Sequence, residues 1–334
     1  MKLKIITASL LLLCFGWLAI LTGAVPLLTQ ADAASGDVLS DEPSPAETSS
    51  PTLSPTPTAA AVAEEASAET APEDVPATEE PQPPRLVTTT ITADGLLDND
   101  TDYDIDTDAL LAAGVDLTLP TEGYQVLILH THATEAYTPE AEELYRESDA
   151  YRTTDPEHSV LRVGEELADA LSAWGLNVLH DTTLYDYPSY SGSYTRSGQA
   201  VEEYLAAYPS IRLVIDLHRD ALGDDQVVYR TLADIDGVYA AQIMFVMGTD
   251  VNLDHPAWRE NLALALTLQT AVQARYPTLM RPTVLCDYRY NQQLSPGCLL
   301  MEVGTSGNTL PEALEAVRRF AETAGPVLAS WIAE

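Results

Sequence analysis

The stretch Gln125-Val-Leu-Ile-Leu-His-Thr-His-Ala-Thr-Glu-Ala-Tyr137 joins an apolar run to a cluster of chemically active side chains. The apolar part is typical of a buried strand, and His130, His132 and Glu135 follow at or just after its end. Two later runs have the same form, Val214-Ile-Asp-Leu-His218 and Leu299-Leu-Met-Glu302. Ligands of open α/β sheets bind beyond the carboxyl ends of the strands, so these runs predict a site where imidazoles and carboxylates meet, as in a zinc hydrolase.

Strand and helix patterns alternate around these runs. Strands are predicted at 125–130, 177–180, 211–218, 243–247 and 297–303, and helices near 158–174, 193–208, 257–274 and 309–332. This order predicts an α/β fold with a twisted, largely parallel or mixed sheet and helices on both faces. We assign it to one domain, residues 121–334.

Residues 31–120 differ sharply in composition from the rest. They contain 20 Asp and Glu against one basic residue, Arg85, and are rich in Pro, Thr, Ser and Ala. Such a segment buries too little apolar surface to offset the entropy of ordering, so we expect a disordered linker. The whole chain carries a net charge of −35, which argues against a nucleic-acid partner because phosphate binding needs a basic face.

Residues 1–30 have the composition of a membrane segment. Two lysines precede Ile5 to Leu28, which contains no charged residue. Its 24 residues exceed a secretory apolar region and suffice to cross a bilayer, which favours an uncleaved anchor with its N-terminus in the cytoplasm. A signal peptide cleaved near Ala31-Asp-Ala33 is the alternative. Either case places the remaining chain outside the cytoplasm, where Cys286 and Cys298 could pair or stay as buried thiols.

Several motifs together carry a family resemblance. They are His130-Thr-His-Ala-Thr-Glu-Ala-Tyr137, Asp186-Tyr-Pro-Ser-Tyr-Ser-Gly-Ser-Tyr-Thr-Arg-Ser197, Val214-Ile-Asp-Leu-His-Arg-Asp220, Tyr290-Asn-Gln-Gln-Leu-Ser-Pro-Gly297 and Leu300-Met-Glu-Val-Gly-Thr-Ser-Gly-Asn308. In order and spacing, residues 121–334 resemble the stage II sporulation protein P family.

The resemblance implies a zinc-dependent N-acetylmuramoyl-L-alanine amidase that cleaves peptidoglycan during forespore engulfment in an endospore-forming bacterium. It also implies a possible endopeptidase activity on the cross-linking peptide. A lytic transglycosylase like stage II sporulation protein D is the implied partner. The expected location is the septal or engulfing cell membrane, with a single span and the catalytic domain on the extracytoplasmic side.

Catalytic zinc sites use three protein ligands, and six residues are candidates for them here. His218 ends an apolar strand beside charged residues, and His130 has a similar position, so both are predicted ligands. Glu135, inside the family-like motif, is the preferred third ligand. His132 is predicted to share the face of His130 if the strand continues, as a ligand, catalytic residue or substrate contact. Glu157 and His158 remain alternatives for the third ligand.

The resemblance gives Glu302 the role of general base and acid, and its place at the end of a buried strand is costly unless it serves a function. A structural carboxylate is the alternative. Arg196 and Arg219 are candidates for binding peptide carboxylates, because guanidinium pairs with carboxylate in bidentate geometry. Asn291 is a candidate substrate contact in the loop before the Glu302 strand. Tyr187, Tyr190 and Tyr194 could form a stacking face for sugars or a half-buried loop.

Two other functions fit the same residues. One is another zinc hydrolase of the envelope, such as a carbohydrate deacetylase, which would leave stem peptides intact. The other is a non-catalytic peptidoglycan-binding adaptor. Analysis of the released products separates the three.

Overall fold

A computed structural model describes residues 84–92, 94–139, 151–224 and 226–333. The strands are β1 (Arg85–Thr89), β2 (Leu97–Asn99), β3 (Val126–Leu129), β4 (Val178–His180), β5 (Leu213–Asp220), β6 (Val227–Ile235), β7 (Val238–Ala241), β8 (Ile243–Gly248), β9 (Thr283–Cys286) and β10 (Cys298–Thr305). The α-helices are α1 (Thr107–Ala113), α2 (Val160–Ser172), α3 (Ser193–Ala207), α4 (Trp258–Arg275) and α5 (Leu310–Ala329). Short 3-10 helices span Pro156–His158 and Gln292–Leu294.

Within the described residues, seven strands form the main sheet in the order β2-β9-β8-β10-β5-β3-β4. Neighbours are parallel except β8 and β10, which are antiparallel. The prediction of a largely parallel or mixed sheet is confirmed. A smaller sheet has the order β1-β6-β7, with β6 and β7 forming an antiparallel pair.

Alternate strand residues pack on opposite faces of the main sheet. Val126 and Ile128 of β3 belong to the larger core, to which α2, α4 and α5 contribute. Leu127 and Leu129 point to the other face and join Val201 of α3. This period of two, with helices on both faces, is the arrangement that the apolar runs predict.

The described part of the expected linker is folded, so the expectation of disorder is wrong for residues 84–92 and 94–120. It contributes β1, the edge strand β2 and helix α1. Leu97, Tyr103 and Leu110 pack against the main core, and Leu119 is fully buried. Acidic composition misled the prediction because the apolar residues are spaced among aspartates and not grouped in runs. Asp106 in fact caps α1 by accepting a hydrogen bond from Ala109 N at 2.9 Å.

The predicted membrane segment at residues 5–28 and most of the linker lie outside the described residues. In the part of the chain that is described, no helix is both long and apolar enough to span a bilayer. Cys286 and Cys298 are buried on β9 and β10, and no disulfide joins them.

Candidate metal centre

A tight turn after β3 brings two predicted site residues together. The extended backbone ends at Leu129, and Glu135 N donates to His132 O at 3.0 Å. Thr131 N donates to Asp216 Oδ1 at 2.8 Å, which fixes the turn against β5. The turn therefore places the side chains of His132 and Glu135 beside each other and next to β5.

His132, Glu135 and His218 form a buried group that could hold a metal ion. One ligand atom from each lies within 4.8 Å of the others. The Nδ1 atoms of His132 and His218 each lie 3.5 Å from a carboxylate oxygen of Glu135. Two imidazoles and one carboxylate are a common ligand set for catalytic zinc. The Nε2 atom of His132 is buried without a hydrogen-bond partner, an uncommon state for a buried polar atom that fits a ligand position.

The charges of this group are strongly coupled. Burial raises the pKa of Glu135, but hydrogen bonding to His132 and His218 and the charges of His218 and Arg219 outweigh it and hold the pKa well below its usual range. Burial also lowers the pKa of His218, yet Asp216 and Glu135 reverse this and raise it well above 6.5. The Glu135 carboxylate is thus held in its ionised form, and the raised pKa of His218 reflects the two carboxylates beside it.

Glu302 lies next to this group on β10. It pairs in register with His218 on the parallel strand β5, so the two side chains share one face of the sheet. Burial raises the pKa of Glu302 to about 8, because the opposing effect of His218 is smaller and Asp220 and Glu135 raise it further. Its Oε2 atom is buried without a hydrogen-bond partner. A carboxyl group in this state is suited to proton transfer and is not capping the following turn through that oxygen.

Asp216 contacts both His218 and the turn that carries His132. It precedes His218 by two residues on β5 and so lies on the same face. Its Oδ1 is 3.0 Å from His218 Nε2, although the angle does not make a hydrogen bond. It also accepts from Thr131 Oγ1 at 2.6 Å. Asp216 therefore orients both the His132 turn and the His218 ring.

His130 is not part of the metal group, and its prediction as a ligand is corrected. Its Nδ1–H donates to Leu217 O at 2.8 Å, and its Nε2 lies 2.9 Å from His180 Nε2. Both ring nitrogens are occupied, so none is left for a metal. Burial, with the neighbouring His180, lowers the pKa of His130 to about 3. The expectation that His132 shares its face fails because the extended conformation ends before His132.

The candidate substrate contacts have internal partners. Arg196 donates to the backbone carbonyls of Tyr185, Ser191 and Ser189, so it braces the loop before α3. Asn291 Nδ2 donates to Tyr194 O at 2.8 Å and to Ser197 Oγ at 3.2 Å, which fastens the β10 entry loop to α3.

Arg219 is buried, but it contacts the metal group directly. Its backbone N donates to Glu135 Oε2 at 3.0 Å, and its Nη2 donates to Tyr151 O. Glu157 is exposed, and His158 lies 3.0 Å from Asp155. Neither belongs to the metal group found among the described residues.

Arg152 and Asp216 were missed as parts of the site, whereas Tyr190 was predicted as part of a stacking face. Arg152 Nη2 lies 3.7 Å from Glu135 Oε1, and its Nη1 pairs with Asp186 at 2.8 Å. Tyr190 stacks on His132 with the ring centroids 4.6 Å apart. Nothing in the sequence indicated a role for Arg152, because it follows no predicted strand and belongs to no motif. The role of Asp216 could have been predicted, because a residue two positions before His218 on the same strand lies on the same face of the sheet as His218.

The model of the family Stage II sporulation protein P (SpoIIP) matches residues 20–324. The chain belongs to this family. Stage II sporulation protein P of Bacillus subtilis (strain 168) is 30% identical over 208 residues, which are 59% of this chain and 49% of that protein. The chain thus spans about half the length of the curated relative that it matches.

Solved structures of wall amidases are also similar to this chain. The N-acetylmuramoyl-L-alanine amidase AmiC2 of Nostoc punctiforme has 13% identity and a TM-score of 0.36, with coverage of 63% of this chain and 98% of that chain. The CwlD amidase of Clostridioides difficile, solved in complex with the GerS lipoprotein, has 14% identity and a TM-score of 0.37, with coverage of 62% and 98%.

Proposed function

We propose that this member of the SpoIIP family is a zinc-dependent peptidoglycan hydrolase that cleaves the N-acetylmuramoyl-L-alanine amide bond. The observation that carries the proposal is the convergence of His132, Glu135 and His218 beside the buried carboxyl group of Glu302. Three ligands with an adjacent proton-transfer group are the requirement for metal-assisted amide hydrolysis, whereas a binding module needs no such group.

The residues divide into two roles. His132, Glu135 and His218 would hold the zinc ion, which would polarise the scissile carbonyl and increase the acidity of water. Ionised Glu302 takes the proton of the attacking water and returns it to the departing L-alanine amine. Burial alone favours its neutral form, and the positive charge of a zinc ion held beside it would favour the ionised form. Tyr190 and Tyr194 shield the histidine rings on one side, since their ring centroids lie 4.6 Å and 5.4 Å from that of His132. This shielding restricts solvent and strengthens the electrostatic interactions at the reacting bond.

The cellular part of the proposal rests on family membership and the N-terminal sequence. We place the domain outside the cytoplasm, held at the septal or engulfing membrane by the apolar segment Ile5 to Leu28. There it remodels the septal wall during sporulation, with a lytic transglycosylase like stage II sporulation protein D as partner. Cleavage of the cross-linking peptide is a second activity that the same centre would support.

The first test compares the wild type with Glu302→Gln and His218→Ala on purified peptidoglycan. With zinc, the wild type should release stem peptides that carry a free L-alanine amine. Glu302→Gln keeps the shape of the side chain but removes the proton acceptor, so zinc should stay bound while release falls by roughly 10²-fold or more. His218→Ala should lose both zinc and release, because two ligands seldom retain the ion.

Arg162→Gln is the matched control, since this arginine pairs with Glu166 on the outer part of α2. It should behave as the wild type in both assays. Release of acetate without any new L-alanine amine would identify a deacetylase instead. Wall binding without any released product would identify an adaptor.

A further inference from the structure

A row of aromatic rings leads away from the metal group. The His132 ring contacts Tyr194, Tyr194 contacts Tyr290, and Tyr290 contacts Tyr288, with centroid distances of 5.4, 5.6 and 6.4 Å. The far end of the row is open to solvent, because Tyr288 is 43% exposed. We call Tyr194, Tyr290 and Tyr288 the tyrosine row. It makes a surface continuous with the candidate site.

Backbone strain holds the middle of the tyrosine row in place. Tyr290 and Asn291 are consecutive non-glycine residues with φ values of 44° and 60°. Two left-handed residues in succession are costly and persist only where surrounding contacts impose them. The contact is the Asn291 side chain, which binds Tyr194 O and Ser197 Oγ of α3. The strained turn therefore fixes the Tyr290 ring against Tyr194.

The opposing helix is shaped to accept this turn. A Cβ atom on Gly198 of α3 would lie 2.9 Å from Asn291 Oδ1, so glycine is required for the close approach. The close packing of the Asn291 loop against α3 thus fixes the positions of the Tyr290 and Tyr194 rings. Tyr290 also packs against a buried apolar cluster on the main sheet, so one ring of the row is anchored while the next, Tyr288, faces solvent.

Charges of both signs border the row. Asp287 precedes Tyr288, and Arg289 follows it and donates to the backbone oxygen of Asp254. Net charge therefore does not select the ligand of this surface, and the aromatic rings are its distinguishing feature. The flat apolar face of an N-acetylated sugar ring fits an exposed aromatic ring such as that of Tyr288.

We infer that the tyrosine row is a subsite for the glycan strand of the substrate, binding sugar rings that lie beyond the residue whose amide is cut. This inference rests on the proposed function, because it assigns one part of the same substrate to one side of the site. Stacking on a row of rings would let the protein engage an extended strand and prefer it to short wall fragments.

The test measures the binding of a hexamer of β-1,4-linked N-acetylglucosamine to the full chain by calorimetry. This probe contains no bond that an amidase cuts, so binding is measured separately from hydrolysis. The wild type should bind it, and Tyr288→Ala and Tyr290→Ala should each weaken binding roughly three- to tenfold. Tyr290→Phe should retain binding, since it keeps the ring and shows that the position tolerates substitution. Tyr239→Ala is the control, because Tyr239 is 57% exposed on β7.

Unchanged affinity in both alanine variants, or no binding by the wild type, would overturn the inference. It would also be overturned if Tyr288→Ala weakened the binding of a free stem peptide and left the hexamer unaffected. The proposed function fails separately. If the hexamer binds through the row while no L-alanine amine is released from peptidoglycan, the subsite stands and the amidase assignment does not.

Discussion

Asp216 is the residue whose removal should affect the metal centre without removing a ligand. It faces His218 Nε2 and accepts two hydrogen bonds from Thr131. Carboxylates in this position fix the ring orientation of a metal-binding histidine and increase its basicity. Asp216→Asn should therefore weaken zinc binding roughly 10- to 100-fold in a chelator competition assay.

The control for Asp216 is another buried aspartate. Asp181 accepts hydrogen bonds from Thr183 and from Tyr185 OH, away from the metal group. Asp181→Asn should reduce thermal stability but leave zinc affinity at the wild-type value. Equal zinc affinities in the two variants would show that Asp216 serves only the fold.

The pair His130 and His180 should make the metal-free protein sensitive to acid. Burial lowers the pKa of His130 from 6.5 to about 3, so the unfolded chain binds a proton at a higher pH than the folded chain does. The contribution of His130 to the free energy of unfolding is therefore fully present above pH 6.5 and is lost as the pH falls toward 3. By pH 5 this one histidine should cost about 2 kcal/mol of unfolding free energy.

Urea unfolding in EDTA at pH 7, 6 and 5 measures this effect. His130→Gln can still donate to Leu217 O but cannot titrate, so its stability should fall less between pH 7 and pH 5. His158→Gln changes a partly exposed histidine and should keep the wild-type dependence. Parallel curves for His130→Gln and the wild type would contradict the prediction.

At the level of elements, α2 depends on a glycine where it crosses the histidine pair. A Cβ atom on Gly164 would lie 2.5 Å from His130 Nε2 and 2.7 Å from His180 Nε2. Gly164→Ala should therefore destabilise the protein by about 1–3 kcal/mol, despite the better helix propensity of alanine. Gly95→Ala, where nothing lies within 4 Å, should change the unfolding free energy by no more than about 0.5 kcal/mol.

The strands that build the site could be predicted from sequence, and several others could not. In β3, β5 and β10 apolar residues lead to a histidine or a carboxylate, since His130 follows β3 while His218 and Glu302 lie within β5 and β10. Both the strands and their reactive residues are therefore recognisable in the sequence. β2 has the sequence Leu-Asp-Asn and β9 the sequence Thr-Val-Leu-Cys, and neither leads to such a residue. The long strand β6 contains Arg230 and Asp234 among its apolar residues, so its sequence does not show the apolar run that predicts a buried strand.

The candidate site was predicted in part. His218, Glu135 and Glu302 lie close together as predicted, whereas His130 lies outside the candidate metal group and His132 lies within it. The error came from extending the strand period past Leu129, because no residue type at 130–132 signals the turn. That turn is set by Asp216 and Asp186, which are far away in sequence and accept from Thr131 N and Thr134 N.

At the scale of the molecule, the folded unit begins before residue 121. Leu119 pairs with Ile332 near the opposite end of the chain, and Leu119 N donates to Trp331 O at 2.8 Å. A chain of residues 84–334 should therefore unfold cooperatively, while a chain of residues 121–334 should lose at least about 3 kcal/mol, since it uncovers several large apolar side chains.

Thermal unfolding of the two chains at equal concentration tests this prediction. A chain that begins at residue 94 provides an intermediate case, because it lacks β1 but keeps β2 and α1. If the chains beginning at 84 and 121 melt at the same temperature, residues 84–120 only lie on the surface. Zinc content should be measured in each, so that loss of metal is not mistaken for loss of packing.

His132 and Glu135 lie in the turn after β3, outside the strand ladders, and His218 is the one member of the metal group within a ladder, where it pairs with Glu302 of β10. The apolar layers on the two faces of the main sheet include none of these three residues. Under the proposed function, the supply of zinc should therefore decide how many molecules are active and not how many are folded. A cell short of the metal would then accumulate a folded, inactive reserve of this protein, which would gain activity when zinc returns, without new synthesis.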